Sequence, residues 1–167
     1  MTTSRRLGGE VTEQSLRRQH PILTICVTAM TALLVAAVAP VDAHVTVWPQ
    51  ESQAGGRERY TVRVPTEGQV ATTAVEIEVP ADVRVTGVLV GAGYTYEARR
   101  EGDRIVAITW TQEIKPGEIG EFVFFAANPR SEAIAWKARQ RFADGTSANW
   151  VGAQTDRQPA AMTLLTD

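Results

Sequence analysis

Residues Thr72–Val79 have the sequence TTAVEIEV, in which apolar and charged residues alternate from Val75 onward. In an extended strand, Val75, Ile77 and Val79 lie on one face and the two glutamates between them lie on the other, because successive side chains point to opposite faces. A period of two predicts a strand with one buried and one solvated face. This pattern is typical of an antiparallel sheet.

Similar stretches occur on both sides of this segment, separated by turn signals such as Gly55-Gly56, Pro116-Gly117 and Asp144-Gly145. No amphipathic helical pattern lies between them, which predicts an all-β fold, an antiparallel β-sandwich. Residues 158–167 look like a loose tail, although residues 162–165 could form a short edge strand. The predicted strands cover residues 44–48, 59–64, 72–79, 83–90, 94–98, 104–110, 120–126, 133–142 and 147–151.

The N-terminal part of the chain has the pattern of a secretory signal peptide. Arg17 and Arg18 precede the apolar run Pro21–Ala39, which is followed by Val41-Asp42-Ala43 directly before His44. Small residues at the −3 and −1 positions predict cleavage after Ala43. The sequence thus predicts a signal peptide over 1–43, a β-sandwich domain over 44–157 and a tail over 158–167. The product would be exported, to the periplasm or to the outside of the cell.

The composition after Ala43 argues against a nucleic-acid-binding protein, a protein with disulfides or thiolate ligands, and a membrane-spanning domain. Cleavage would leave 124 of the 167 residues (167 − 43), enough for one domain. These residues include 13 basic and 16 acidic side chains, a net charge of −3 (13 − 16), without a basic stripe for nucleic acid. Cys26, the only cysteine, lies in the predicted signal peptide. After Ala43 no apolar run approaches the roughly 20 residues of a transmembrane helix.

His44 is a candidate metal ligand because of its place in the chain. Cleavage after Ala43 would put a free α-amine and an imidazole on the same residue, and the amine nitrogen and Nδ1 can chelate one ion together. These borderline donors suit Cu(II) better than other common divalent ions. Cu(I) should bind poorly, because Met162 is the only thioether after Ala43. In the alternative interpretation, His44 is simply the residue that follows the cut.

Motifs along the chain carry a resemblance to a known family. The sequence from His44 to about Asp156 resembles the YcnI-like copper-binding domain family. The resemblance rests on the ordered motifs HVTVWP (44–49), YTVRVPT (60–66), TTAVEIEVP (72–80), ITW (108–110), PGEIGEF (116–122), WKA (136–138), FADG (142–145) and WVG (150–152).

This resemblance implies a cupredoxin-like or fibronectin type III-like sandwich with a mono-histidine brace. In a brace of this kind the first residue binds Cu(II) through its amine and Nδ1, a carboxylate completes the site, and a tryptophan lies beside the metal. Here His44 matches the histidine and Trp150 the tryptophan, although core packing is an alternative role for Trp150. Glu97 is the favoured carboxylate and Glu121 is the second choice.

Three functions are compatible with these residues. The first is an exported Cu(II)-binding protein that buffers or delivers copper without catalysis, with the copper ion and another copper-handling membrane or periplasmic protein as partners. The second is an oxidative copper enzyme, but such enzymes typically supply a second histidine, and His44 is the only one after Ala43. The third is a sandwich-type interaction module in which His44 is incidental. A Cu(II) titration distinguishes the first from the third.

Overall fold

The computed structural model describes residues 44–167, and the predicted signal peptide lies outside the described residues. Within this range the chain forms twelve strands and no helix, so no helix there could span a membrane. The strands are β1 (Thr46–Trp48), β2 (Glu51–Gln53), β3 (Arg57–Pro65), β4 (Thr72–Glu78), β5 (Arg84–Val88), β6 (Thr95–Glu101), β7 (Arg104–Ile114), β8 (Ile119–Ala127), β9 (Ala133–Trp136), β10 (Ala138–Phe142), β11 (Ser147–Trp150) and β12 (Ala161–Thr166).

The strands form three sheets. One has the order β1-β3-β8-β5, the second has the order β11-β10-β4-β7-β6, and the third has the order β2-β12-β9. All neighbouring strands are antiparallel except β2 and β12, which are parallel. The predicted all-β sandwich is therefore confirmed.

The core follows from the alternation in the sequence. Val75 and Ile77 of β4 are fully buried, whereas Glu78 at the end of that strand is exposed. Aromatic rings fill the space between the sheets, and Trp110 stacks on Phe122 with ring centroids 5.3 Å apart. The largest fully buried side chains are Trp110, Trp136, Tyr60, Phe122, Phe124, Ile77, Ile108 and Ile134. The expectation that Trp110 and Trp136 belong to the core is confirmed.

The predicted strand 133–142 is divided between two sheets. The chain leaves the three-stranded sheet after Trp136 and enters the five-stranded sheet at Ala138, with Lys137 between them. The Lys137 carbonyl accepts a hydrogen bond from the backbone N–H of Glu78, at 2.9 Å. Buried and exposed side chains continue to alternate across Lys137. For this reason the sequence pattern does not reveal the change of sheet.

The C-terminal segment is not a loose tail. Residues 161–166 form β12, which lies between β2 and β9 and is therefore a central strand, not the edge strand considered above. Thr163 is fully buried, and its hydroxyl accepts a hydrogen bond from Trp136 Nε1 at 3.1 Å and donates one to the Pro49 carbonyl at 3.0 Å. A buried threonine with two partners is stabilising, because a buried hydroxyl without them would be costly.

Candidate metal centre

His44 and Trp150, both expected at the site from the sequence, are in contact. His44 precedes β1, and Trp150 is the last residue of β11. Their ring centroids are 5.0 Å apart, and the ring planes are inclined at 62° in an edge-to-face arrangement. The His44 side chain is half-buried, whereas Trp150 is only 5% exposed and belongs to the hydrophobic core. The Trp150 indole thus packs in the hydrophobic core and also contacts the His44 imidazole.

A buried glutamine fixes the position of the Trp150 ring. Trp150 Nε1 donates a hydrogen bond to Gln140 Oε1 at 3.3 Å. The amide nitrogen of Gln140 donates to the Pro65 carbonyl at 3.0 Å and to Thr72 Oγ1 at 2.7 Å. Gln140 is 2% exposed, so these bonds satisfy a polar side chain that has little access to water. Through them β11 and β10 are connected to the ends of β3 and β4.

The same network reaches the loop between β3 and β4. The hydroxyl groups of Thr66 and Thr72 are 2.7 Å apart and form a hydrogen bond, and both residues are buried. Thr66 is followed by Glu67, which is exposed in the loop of residues 66–71. The residues of this network were not predicted from the sequence as part of the site: Gln140, Thr66 and Thr72. The signal in the sequence was the polar Gln140 at an inward position of an otherwise alternating strand.

The register of β1 and β3 relates the beginning of β1 to the loop that carries Glu67. β1 pairs with β3 so that Thr46 is opposite Arg63 and Val47 is opposite Val62. Continuing this register by two residues sets His44 opposite Pro65, the last residue of β3. Glu67 follows only two residues later. Its loop therefore follows directly after the end of β3 that pairs with the beginning of β1.

Glu97, the carboxylate that the sequence favoured, lies at the other edge of the five-stranded sheet. Glu97 is exposed on β6, and Trp150 is on β11, so three strands separate the two elements. With neighbouring strands roughly 4.8 Å apart, four strand spacings correspond to about 19 Å. The register across the sheet is Glu97, Thr109, Glu76, Arg139 and Asn149. The structure does not bring Glu97 to His44 and Trp150.

Glu121, the second choice, lies on the outer face of the four-stranded sheet. Its Oε1 accepts a hydrogen bond from Arg63 Nε at 2.7 Å, and both side chains are about half exposed. The Arg63 guanidinium also lies over the Trp48 ring, 5.5 Å from its centroid. Glu121 is on β8, which β3 separates from β1. This carboxylate is already paired with a cation, and its strand is not adjacent to β1.

The space beside His44 is a small open cavity of about 250 Å³. No carboxylate or thiol lines it. In residues 44–167, no three His, Cys, Asp or Glu side chains are grouped around a common point where a metal could bind. A brace needs fewer side chains, because it takes one nitrogen from the chain terminus. The lining residues are His44, Val45, Thr46, Val47, Gln50, Gln154, Pro159, Ala160, Ala161 and Met162.

Comparison with known proteins gives the family. The model of the family described as "Domain of unknown function (DUF1775)" matches residues 44–163, beginning at His44. The chain belongs to this family. It is 35% identical over 148 residues to the "Copper-binding protein CutI" of Bacillus subtilis (strain 168), with 86% of this chain and 72% of that protein covered. The resemblance to the YcnI-like copper-binding domain is therefore confirmed.

A solved structure supports the same fold. The crystal structure of an uncharacterized protein from Nocardia farcinica, described as having an immunoglobulin-like fold, is 29% identical to this chain. The TM-score is 0.65, and the match covers 74% of this chain and 99% of the other. An immunoglobulin-like fold is a sandwich of antiparallel sheets, in agreement with the arrangement described above.

Proposed function

We propose that this protein is an exported Cu(II)-binding protein that buffers or delivers copper through an N-terminal histidine brace. In the processed chain, the α-amine and Nδ1 of His44 would hold the ion, a carboxylate would complete the donor set, and the Trp150 ring would lie beside it. The copper-binding relative supports the choice of metal. The signal-like segment that ends at Ala43 supports both export and the free amine of His44.

The observation that carries this proposal is the contact between His44 and Trp150. The ring of the first residue after the predicted cleavage site lies 5.0 Å from an indole that is itself fixed by Gln140. A bound copper ion would have the low-polarity indole on one side and the open cavity on the other. An indole face attracts cations and excludes water. This arrangement favours a ligand role for His44 over an incidental position after the cut.

We infer that Glu67 supplies the carboxylate. Its loop begins at Thr66, which belongs to the hydrogen-bond network that also holds Trp150. The register of β1 and β3, continued by two residues, would set the start of this loop opposite His44, and Glu67 is exposed. A carboxylate next to two nitrogen donors neutralises part of the charge of Cu(II) and fills a position that a single histidine leaves open. Glu97 and Glu121 stay predictions from the sequence, and the register favours neither.

The donor set also favours binding over catalysis. The sequence has two histidines, and only His44 follows the predicted cleavage site. The nitrogen and oxygen donors prefer Cu(II), and a brace with one imidazole holds that oxidation state without a second nitrogen ring to support Cu(I). We propose that the protein transfers or stores copper and leaves the redox chemistry to other proteins. Another copper-handling protein of the membrane or periplasm would be its partner.

The free amine of His44 provides the direct test. Cu(II) titration is compared between the chain that starts at His44 and the same chain with one glycine added before His44. The added residue converts the amine into an amide, so we expect a loss of affinity greater than the roughly 10- to 100-fold that loss of an outer-shell partner of a metal ligand costs. Both chains should have the same circular dichroism spectrum. Equal affinities would refute the brace.

Two further measurements complete this test. N-terminal sequencing of the exported protein should give His44 as the first residue. His44→Ala in the processed chain should abolish tight Cu(II) binding while the fold remains, because the residue lies before β1 and is only half-buried. Gln50→Ala, which changes another residue of the same cavity, is the matched control and should retain binding. If His44→Ala retained copper, the ligands would have to lie elsewhere.

A further inference from the structure

β6 is an edge strand of unusual length and exposure. It covers seven residues, Thr95–Glu101, and six of them are exposed. Its one neighbour in the sheet is β7, and in the described part of the chain its other edge pairs with no strand. An unpaired edge presents a row of backbone N–H and C=O groups that can pair with another strand. The β11 edge differs, because Gln158 accepts hydrogen bonds there from the backbone N–H groups of Asn149 and Val151.

The side chains of β6 form a self-complementary pattern. The order TYEARRE, centred on Ala98, has Glu97 on one side and Arg99 on the other. In an antiparallel pair of two identical β6 strands centred on Ala98, Glu97 of each copy is opposite Arg99 of the other. Tyr96 is likewise opposite Arg100, which fits a cation–π contact. Opposite charges on directly facing residues stabilise a strand pair, and like charges destabilise it.

The faces of the strand agree with this register. Ala98 is half-buried and packs on the core, so Tyr96, two residues earlier, lies on the same side of the sheet. The register with β7 shifts between Arg99 and Arg100, so the regular part of the strand ends at Arg99. Glu97 and Arg99 lie on the outer side, and within residues 44–167 neither forms an ion pair. Arg100 and Glu101 bond within their own hairpin, to Asp103 and Arg104. The two charges at the centre of the strand are therefore available to a partner.

We propose that β6 pairs with β6 of a second copy of this chain, in antiparallel register about Ala98. The pairing joins two five-stranded sheets into one continuous sheet around a twofold axis, the usual symmetry of a homodimer. Charged residues on an edge strand normally oppose pairing with other strands. Here the charges of β6 disfavour pairing with unrelated strands but favour pairing with a second copy of β6. In the antiparallel orientation, and only there, each Glu97 is opposite an Arg99.

The dimer leaves the metal centre accessible. β6 and β11 are at opposite edges of the sheet, so Trp150 lies at the far end of each subunit from the twofold axis. Copper binding and dimer formation are consequently separate properties. A copper-binding chain that stays monomeric would contradict the dimer alone, and a dimer that binds no copper would contradict the proposed function alone.

Sedimentation equilibrium of the chain starting at His44 tests the proposal through charge reversal. Glu97→Lys places two like-charged pairs in the interface, and we expect the dimer dissociation constant to rise about tenfold or more. The swapped variant with Glu97→Arg and Arg99→Glu restores both pairs and should return the constant close to that of the parent chain. Glu51→Lys, the same change on an exposed residue of β2, is the control and should leave the constant unchanged.

Cysteine cross-linking tests the register. The processed chain has no cysteine, so single Glu97→Cys and Arg99→Cys variants each carry one. A mixture of the two should form the disulfide-linked dimer under mild oxidation much faster than either variant alone, because residue 97 of one copy faces residue 99 of the other and neither residue faces its own counterpart. A parent chain that is monomeric at every accessible concentration, equal cross-linking in all three samples, or a swapped variant that fails to recover would overturn the proposal.

Discussion

Replacing Gln140 with methionine tests whether the buried hydrogen-bond network holds the metal centre together. Methionine has a similar length and shape but cannot replace the amide hydrogen bonds. The change removes the bonds to the Pro65 carbonyl, to Thr72 Oγ1 and from Trp150 Nε1. At a net value of about 1 kcal/mol for each bond, the free energy of unfolding should fall by about 3 kcal/mol.

This loss corresponds to a large shift of the melting temperature. With an unfolding entropy of roughly 2.1 cal/mol/K per residue, residues 44–167 give about 0.26 kcal/mol/K, so the melting temperature should fall by about 12 °C. Cu(II) affinity should fall as well, because Trp150 and the loop of Glu67 lose their common support. Urea unfolding followed by tryptophan fluorescence measures the first effect, and Cu(II) titration of the folded variant measures the second.

Gln112→Met provides the matched control, since Gln112 is a half-buried residue of β7 outside the network. It should change the free energy of unfolding by less than about 0.5 kcal/mol, as expected for a residue outside buried polar networks. A Gln140→Met variant with the stability and the copper affinity of the control would show that these hydrogen bonds do not support the candidate site. The hydrogen bonds of Gln140 would then lie next to the site without contributing to its stability or its copper affinity.

Three other predictions concern single side chains. Glu67→Gln should weaken Cu(II) binding and change its EPR spectrum, while Glu97→Gln should do neither; the reverse result would place the carboxylate on β6. Trp150→Phe should reduce the quenching of tryptophan fluorescence by copper more than it reduces affinity, and unchanged quenching would place the metal away from this ring. Burial raises the pKa of Tyr60 to about 12, with smaller effects from hydrogen bonds and Glu58. The folded state therefore favours the neutral ring. The stability that this preference contributes is complete below pH 10 and should be lost between about pH 10 and pH 12. In urea titrations, Tyr60→Phe should remove that part of the pH dependence.

The sequence predicted the sheets well where a strand has one buried face and one solvated face. In β3 and β4 the apolar residues recur with a period of two, and this period depends only on the geometry of an extended chain. It carries no information about which strands are neighbours. The division of residues 133–142 at Lys137 and the central place of β12 depend on pairings with distant strands, and these pairings are not recorded in local alternation.

The candidate site also has one part that local sequence predicts and another part that depends on the pairing of distant strands. His44 and Trp150 could be named from the cleavage pattern and from the resemblance, because each is marked by residue type and by a neighbouring motif. The third donor could not be selected in this way. Glu97 and Glu121 are both plausible as carboxylates, and the strand order that puts β6 far from β11 and β8 apart from β1 is not visible in the local sequence. Gln140 was not predicted, because the role of an inward-facing glutamine depends on its hydrogen-bond partners, which here lie on β3, β4 and β11.

The contact between His44 and Trp150 has a consequence for the order in which the protein can become functional. Ribosomes make a chain from its N-terminus, so His44 emerges early, Trp150 late and β12 last. The indole wall and the central strand of the third sheet do not exist until nearly the whole polypeptide has been synthesised. An incomplete chain would carry the histidine without its surroundings. Under the proposed function, copper capture would therefore require that synthesis has passed Trp150, and shorter products would lack the indole beside His44.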